Sequence, residues 1–181
     1  MADTLRAPLP AELTGDRTAL RLITPDDWPV EVALSALPDV LRWTRYPPGL
    51  DESTARARIE TRVRGAAAGS GGRYVVRDSA GSTVGTAGIA MNGQHDPEVF
   101  YALLPAGRGR GLATAATRRL TEWALDVGHD RVVLKTILGN TASEAVARRA
   151  GYAPVATETA TIRDAAVRLR RWERRPGDRV H

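Results

Sequence analysis

Apolar and polar residues recur along this chain with two different periods, which predict a mixture of strands and helices. Alternating or continuous apolar residues rich in β-branched types predict strands at residues 18–24, 73–77, 82–91, 98–104, 131–138, 152–161 and 165–172. Apolar positions spaced by three and four residues predict helices at residues 28–37, 51–68, 112–126 and 140–150. The chain is therefore predicted to contain both strands and helices along its whole length.

Two segments carry more specific expectations. The helix at residues 51–68 is amphipathic, with one apolar stripe opposite a face of arginines, and this stripe should be buried. The stripe consists of Ala55, Ile59, Val63 and Ala66 or Ala67. Residues 38–50 are rich in proline and are predicted to form a loop, whose aromatic side chains are candidates for contact with a substrate.

The centre of the chain predicts the fold class. The strand at residues 98–104 is followed by a glycine-rich turn, the helix at 112–126 and the strand at 131–138, an order typical of a right-handed βαβ crossover between parallel strands. Hairpins precede and follow this unit. We therefore predict an α/β fold with a mixed sheet of about six to seven strands and helices on both faces.

Composition sets the broad class of the protein. A chain of 181 residues with 43% hydrophobic content suits one domain, with a core at about residues 17–172 and loose ends. The absence of cysteine excludes disulfides and thiolate metal sites, and His95 and His129 have no partners at ligand spacing, so we expect no metal. No apolar run is long enough for a membrane helix, and no signal pattern opens the chain, so a cytoplasmic protein without membrane contact is expected.

The formal net charge of +5 raises nucleic acid as a possible partner. Of the 26 basic residues only Lys135 is a lysine, which indicates a coding bias toward arginine, and the arginines are scattered among acidic residues. Nucleic-acid binding is therefore not expected, although it stays open as an alternative that predicts steep salt dependence.

The glycine-rich turn is the strongest candidate for chemistry. Gly109 and Gly111 lie between a predicted strand and helix, where backbone N–H groups and two arginines, Arg108 and Arg110, suit a phosphate-bearing ligand. The glycine spacing does not match a dinucleotide fingerprint, and no lysine follows for a nucleotide-triphosphate loop. An arginine-rich corner without a ligand is the remaining structural interpretation.

Two motifs carry a resemblance to a known family. Arg108, Gly111 and Ala113 match the pattern R-x-x-G-x-A between a strand and a helix. Downstream, Asn140 and Ser143 match N-x-x-S, followed at the right distance by the pair Gly151-Tyr152. In this order they resemble the GNAT superfamily of N-acetyltransferases, in its RimJ/RimL-like branch, over roughly residues 18–156.

The resemblance implies acetyl-CoA as co-substrate and a central parallel strand pair that splays apart to receive it. The residues implied for binding acetyl-CoA are Tyr101, Ala102, Leu103, Leu104, Arg108, Gly109, Arg110, Gly111, Leu112, Ala113, Thr114 and Asn140. For Asn140, capping of the next helix is an equally good interpretation, and both roles are compatible.

The resemblance also suggests catalytic residues. Many family members carry a tyrosine acid seven residues after the motif asparagine, but Ala147 stands there, which leaves Ser143 as the candidate acid and Glu98 as the candidate base. The structural alternative for Ser143 is a serine in the first turn of a helix, and the alternative for Glu98 is a carboxylate that pairs with an arginine. Trp43, Arg45 and Tyr46 are the candidates for binding the acceptor, with packing as the alternative for Trp43.

The expected activity is acetyl transfer to a primary amine of a peptide, protein or small molecule. The missing tyrosine favours an α-amine, whose pKa of about 8 leaves more neutral amine than a lysine does. A non-catalytic module that binds acyl-CoA is the alternative, and a homodimer through the C-terminal β segments stays open.

Overall fold

The computed structural model describes residues 3–15, 17–93 and 95–178. The strands are β1 (Glu12–Thr14), β2 (Ala19–Leu22), β3 (Gly71–Arg77), β4 (Thr83–Met91), β5 (Pro97–Leu103), β6 (Val132–Ile137), β7 (Ala153–Ile162) and β8 (Ala165–Arg174). The α-helices are α1 (Trp28–Ser35), α2 (Pro38–Trp43), α3 (Glu52–Ala67), α4 (Leu112–Asp126) and α5 (Thr141–Arg149), with short 3₁₀ turns at Pro25–Asp27 and Pro105–Gly107.

The strands form one mixed sheet in the order β1-β2-β3-β4-β5-β6-β8-β7. Every neighbouring pair is antiparallel except β5 and β6, which α4 connects as a parallel crossover. The predicted α/β class and the parallel central pair are confirmed, and the strand count is eight because β1 adds a short edge strand that the sequence pattern did not reveal.

The parallel pair opens shortly after it forms. β5 and β6 are in register only at Glu98 with Val133 and at Val99 with Leu134, whereas both strands continue for several residues beyond. β5 stays paired with β4 as far as Leu103. The facing edges of β5 and β6 therefore diverge into a cleft within the sheet.

Helices cover both faces of the sheet, as predicted. On one face, α4 and α5 pack in a core that includes Leu120, Ala147 and Trp172, each fully buried. On the other face, α1, α2 and α3 contribute Leu34, Val40 and Ile59 to a second core. Tyr152, the aromatic residue after Gly151, is buried in the first core.

Local chemistry starts several helices. The Asp51 carboxylate accepts a hydrogen bond from the N–H of Thr54 at 2.7 Å and begins α3. In the 3₁₀ turn before α1, the Asp27 carboxylate accepts from the N–H of Thr24 at 2.7 Å. Such side-chain acceptors satisfy N–H groups that have no partner within a helix.

Two expectations about the helices were wrong. Residues 38–43 form the helix α2 rather than a loop, because Pro38 lies in its first turn, where a missing N–H costs nothing. Val63 is 43% exposed rather than part of the buried stripe of α3. At 3.6 residues per turn, Val63 lies about 80° around the helix from Ala55. Arg62 lies only about 20° around the helix from Ala55, so it is closer to the buried stripe.

The segment before β1 packs on the rest of the chain. Leu5 is buried, and its N–H donates to the carbonyl of Gly69 at 2.8 Å. The expectation of loose ends also concerns residues 1–2 and 179–181, which lie outside the described residues. Within the described ranges, no helix is long and apolar enough to cross a membrane.

Candidate functional site

The cleft between β5 and β6 leads into two adjoining cavities, of about 440 Å³ and about 290 Å³. The larger cavity lies against the glycine-rich turn and the first turns of α4 and α5. The smaller cavity lies between the diverging strands, α3 and the segment that follows α2. Both cavities are lined by Trp43, Thr44, Tyr101, Ala102, Asn140 and Ser143. These shared residues mark the place where ligands from the two sides would meet.

The glycine-rich turn presents free backbone donors to the larger cavity. Gly109 and Gly111 have φ values of 70° and 77°, a left-handed conformation that favours glycine. Gly111 caps α4, and the first bond of the helix runs from the N–H of Ala115 to the carbonyl of Gly111. Within the described residues, the N–H groups of 112–114 have no hydrogen-bond partner. The arrangement fits a phosphate group.

The arginines of the turn are engaged by the protein itself. Arg108 donates to the carbonyl of Leu103 from Nε at 3.1 Å and from Nη2 at 3.0 Å, and its Nη1 lies 2.6 Å from the Asp39 carboxylate. Arg110 pairs with Asp78 at 2.8 Å. Arg108 therefore ties the turn to the end of β5 and to α2, and the backbone N–H groups provide the free donors.

A third arginine reaches the turn from outside the motif. The guanidinium Nη1 of Arg17 lies 4.0 Å from the position that a Cβ atom would occupy on Gly111. Arg17 has no ion pair with any residue that the structure describes. No motif singled out Arg17, because it lies in the turn between β1 and β2 and meets the glycines only through folding.

Asn140 and Ser143 stand at the junction of the cavities. The Asn140 side-chain oxygen accepts from the N–H of Ser143 at 3.1 Å, which confirms the capping interpretation for Asn140. This bond occupies the oxygen and leaves the amide NH₂ of Asn140 to donate elsewhere. Ser143 is half-buried and uses only its backbone N–H in the cap.

The Tyr101 hydroxyl lies beside Ser143. It is enclosed, without a well-formed hydrogen bond to any residue in the described ranges. Burial raises the pKa of the Tyr101 phenol to about 12, and the neighbouring Ser143 side chain opposes this shift. The sequence suggested only a backbone role for Tyr101, because a tyrosine in a strand gives no sign of where its hydroxyl lies.

The smaller cavity contains the Glu98 carboxylate. Burial raises the pKa of this carboxyl above its usual range, although Lys135 and Arg45 lower it in part. The Lys135 ammonium lies 3.9 Å from Glu98 and 2.9 Å from Glu158. A carboxylate with a raised pKa inside a cavity is a candidate proton acceptor.

One wall of the smaller cavity is rigid. Tyr46 is 4% exposed, and the guanidinium carbons of Arg58 and Arg73 lie 5.2 Å and 5.3 Å from its ring centroid. Both arginines also pair with Glu31, which is fully buried on α1. Burial raises the pKa of the Tyr46 phenol, so it stays neutral.

The structure brings together most of the residues singled out in the sequence. Those that line the larger cavity are Trp43, Tyr101, Ala102, Leu103, Arg108, Gly109, Gly111, Leu112, Ala113, Thr114, Asn140 and Ser143. The smaller cavity adds Glu98, Arg45 and Tyr46. Leu104 and Arg110 lie outside the lining of both cavities, since Leu104 packs against the core beneath α1 and α2, and Arg110 turns toward Asp78.

Comparison with known families identifies this architecture. The family model described as an acetyltransferase (GNAT) domain matches residues 17–153. The chain belongs to the GNAT acetyltransferase family. Acetyl transfer is thus the general activity of this GNAT protein, and the match includes the turn, the diverging strands and the whole lining of the larger cavity.

Several solved structures share the fold of this chain. The microcin C7 self-immunity acetyltransferase MccE, in complex with acetyl-CoA and AMP, is 16% identical with a TM-score of 0.82, covering 93% of this chain and 98% of MccE. RimL, a ribosomal L7/L12 alpha-N-protein acetyltransferase in complex with coenzyme A, is 16% identical with a TM-score of 0.81, covering 91% and 97%. A probable GNAT acetyltransferase from Chromobacterium violaceum is 23% identical with a TM-score of 0.79, covering 95% and 90%. A search of curated proteins found no significant match.

Among the residues that the structure describes, no three His, Cys, Asp or Glu side chains cluster in a way that would hold a metal ion. His95 pairs with Asp3 at an exposed position, and the Nε2 atom of His129 accepts the N–H of Arg6 at 3.2 Å.

Replacing Gly111 with Asp should abolish binding of coenzyme A to this GNAT protein. The new carboxylate would lie against the free N–H groups at the start of α4 and would repel a pyrophosphate. Calorimetric titration with coenzyme A measures the effect.

Gly81→Asp is the matched control, because Gly81 also has a positive φ, of 80°, and open space at its Cβ position. This variant should bind coenzyme A as the wild type does. Unchanged affinity in Gly111→Asp would contradict the assignment of the turn.

Proposed function

We propose that this protein transfers the acetyl group of acetyl-CoA directly to a primary amine, within a complex that holds both substrates. The observation that supports this most is the meeting of two cavities at one junction. One cavity carries a phosphate-binding turn, and the other carries a carboxylate with a raised pKa. The acceptor is an N-terminal α-amine of a peptide or protein, or a small amine.

The larger cavity would receive acetyl-CoA. The N–H groups of residues 112–114, with the Arg17 guanidinium nearby, suit the pyrophosphate. The cofactor's arm would follow the open edge of β5 toward the junction, where the Asn140 amide NH₂ is available as a donor. Coenzyme A and acetyl-CoA in the RimL and MccE structures support this choice of donor.

The open edge of β5 would also stabilise the transition state. Alternate backbone N–H groups of β5 face β6, and beyond Val99 the ladder with β6 has ended. An N–H held there by the sheet needs no reorganisation to donate to the thioester oxygen as negative charge develops on it. This role depends on the backbone, so side-chain substitutions would not remove it.

Glu98 would accept the proton of the amine. The amine nitrogen attacks the thioester carbon, a C–N bond forms, and the C–S bond breaks as the tetrahedral intermediate collapses. The surplus amine proton passes to Glu98 directly or through one water. The charges of Lys135 and Arg45 favour the ionised form of this buried carboxyl by opposing the effect of burial on its pKa.

Ser143 and Tyr101 are the groups placed to protonate the departing thiolate. Both line the junction, and their side chains are neighbours. Tyr101 thus brings a phenol close to the site from β5, although the family's usual tyrosine position holds the buried Ala147. We assign the proton transfer to Ser143, with Tyr101 orienting it.

Release of free thiol from acetyl-CoA in the presence of an amine panel tests the function. The panel should include peptides with free N-termini, amino acids, polyamines and aminoglycosides, and mass spectrometry should detect products that gain one acetyl group. Tight binding of coenzyme A without acceptor-dependent turnover would instead favour a non-catalytic acyl-CoA-binding module.

Glu98→Gln should lower kcat/KM by about 10²- to 10⁴-fold, the usual contribution of a general base. In the wild type, kcat/KM should fall as the pH drops through the raised pKa of Glu98, because the protonated carboxyl cannot accept a proton. In the variant the fall through the pKa of Glu98 should be absent, and only the dependence on the ionisation of the amine, with a pKa of about 8 for an α-amine, should remain.

Glu158→Gln is the control for the pH profile, since Glu158 contacts the same Lys135 ammonium at 2.9 Å but does not line the cavity. Its profile should keep an acid limb set by Glu98, moved to lower pH because the Glu158 charge contributes to raising the pKa of that carboxyl. An acid limb that is identical in wild type and Glu98→Gln would exclude Glu98 as the base.

Ser143→Ala and Tyr101→Phe separate the two hydroxyls. If Ser143 donates the proton, Ser143→Ala should lower kcat by about 10²-fold or more, and Tyr101→Phe should have a smaller effect. Steady-state kinetics at saturating acetyl-CoA measures both. A larger loss of kcat in Tyr101→Phe would transfer the acid role to the phenol.

A further inference from the structure

The smaller cavity carries an excess of positive charge. Five cationic side chains line it, namely Arg45, Arg58, Arg62, Arg73 and Lys135. Three carboxylates lie among them, Glu31, Glu98 and Glu158. Two cations are therefore left without a partner of opposite charge in or beside the cavity.

The pairing within the cavity shows where this excess lies. Glu31 is shared by Arg58, whose Nε lies 2.9 Å away, and by Arg73, whose Nη1 lies 3.3 Å away. The Lys135 ammonium forms ion pairs with Glu158 and Glu98. Arg45 and Arg62 have no ion pair or hydrogen bond with any residue in the described part of the chain.

Arg62 occupies a position where a helix normally buries an apolar side chain. It lies on the same stripe of α3 as Ala55 and Ile59, both fully buried, because seven residues make almost two whole turns. The side chain is half-buried, and burial together with the charges of Arg73 and Arg58 lowers the pKa of its guanidinium. A cation in such a place is destabilising unless an anion joins it.

A second donor in the same wall also has no acceptor. Arg73 is 6% exposed, and its Nη1 bonds Glu31, Tyr46 and Thr86. Its Nε–H is buried without a hydrogen-bond partner among the described residues. A buried donor left unsatisfied costs free energy, which an acceptor atom in the cavity would recover.

We infer that the acceptor carries a carboxylate near its amine, and that Arg62, assisted by Arg73 and Arg45, binds this carboxylate. The inference rests on the proposed function, since it concerns the acceptor of the same reaction. Glu98 and Arg62 line one cavity of about 290 Å³, so a small molecule can place its amine near the first and its carboxylate near the second. Either the α-carboxylate of an amino acid or the side chain of an N-terminal acidic residue of a peptide supplies this chemistry.

Paired acceptors test the inference. Each common amino acid is compared with its own carboxamide, and peptides that begin with Asp or Glu are compared with those that begin with Asn or Gln. Thiol release at saturating acetyl-CoA gives kcat/KM for each member. The wild type should prefer the anionic member of at least one of the two series by about tenfold or more, as expected for a hydrogen bond between charged groups.

Arg62→Gln should remove most of that preference by raising the KM of the anionic acceptor, while neutral amines change little. Arg62→Lys keeps the charge and should restore part of the preference. Arg64→Gln is the matched control, since Arg64 lies on the same helix, is exposed and donates from its side chain to the Thr61 hydroxyl rather than into the cavity. It should behave as the wild type does.

The outcomes separate this inference from the proposed function. A preference for the anionic member of the amino acid series identifies the acceptor as a free amino acid. A preference for the anionic member of the peptide series identifies it as a peptide with an acidic N-terminal residue. Equal kcat/KM for anionic and neutral members, or a preference that survives in Arg62→Gln, overturns the carboxylate site and leaves acetyl transfer intact. Binding of coenzyme A with no turnover of any amine overturns the proposed function and the inference with it.

Discussion

The divergence of β5 from β6 is the constraint on which the rest of the structure depends. Each strand is held along its outer edge, β5 by β4 and β6 by β8, so the two inner edges can separate without loss of the sheet. Separation leaves backbone N–H and C=O groups that need water or a ligand, because such groups are rarely left unpaired. A sheet opened in this way provides a polar groove inside a rigid framework.

The elements around the groove follow from that opening. α4 begins where β5 ends, so its free N–H groups point into the same space as the open strand edge. Asn140 begins α5 at the end of β6 and brings Ser143 to the junction. The crossover that makes the two strands parallel thus also places both helix starts at one end of the sheet, where a ligand can contact them together.

The arginines of this chain differ in whether they have an acidic partner. Over much of the surface, arginines are matched by acids, as Arg110 is by Asp78 and Arg131 by Asp96, and these pairs neutralise the chain's basic character locally. Arg62 and Arg45, which line the smaller cavity, have no ion pair with any residue that the structure describes. The overall charge of +5 is therefore a poor guide to partners, and the local imbalance is a better one.

Much of the fold was predictable from local patterns. Helix α4 has the predicted bounds, because its apolar period is regular and glycines stand at both ends. The hairpin of β7 and β8 turns at Arg163 and Asp164, as expected from the break in the pattern there. Helix α2 was missed because a proline is usually read as a sign that a helix ends. Pro38 is instead the first residue of this helix, where its missing N–H would have had no partner in the helix.

The candidate site was predictable only in part. The motif residues from Arg108 to Thr114 and Asn140 could be found, since a phosphate turn and a helix cap are made by neighbours in sequence. Arg17, the Tyr101 hydroxyl and Arg62 could not be found, because each acquires its surroundings from segments far away in the chain. In α3, the apolar stripe suggested Val63, and only the helix's true rotation on the sheet shows that Arg62 faces inward.

The sequence by itself determined most of the elements, the glycine turn, the Asn140 cap and the family, because these depend on residues a few positions apart. The tertiary structure decided where β5 and β6 separate, which arginines meet acids and which do not, and which hydroxyls meet at the junction. Those features depend on contacts between distant segments, and no local period or spacing records them.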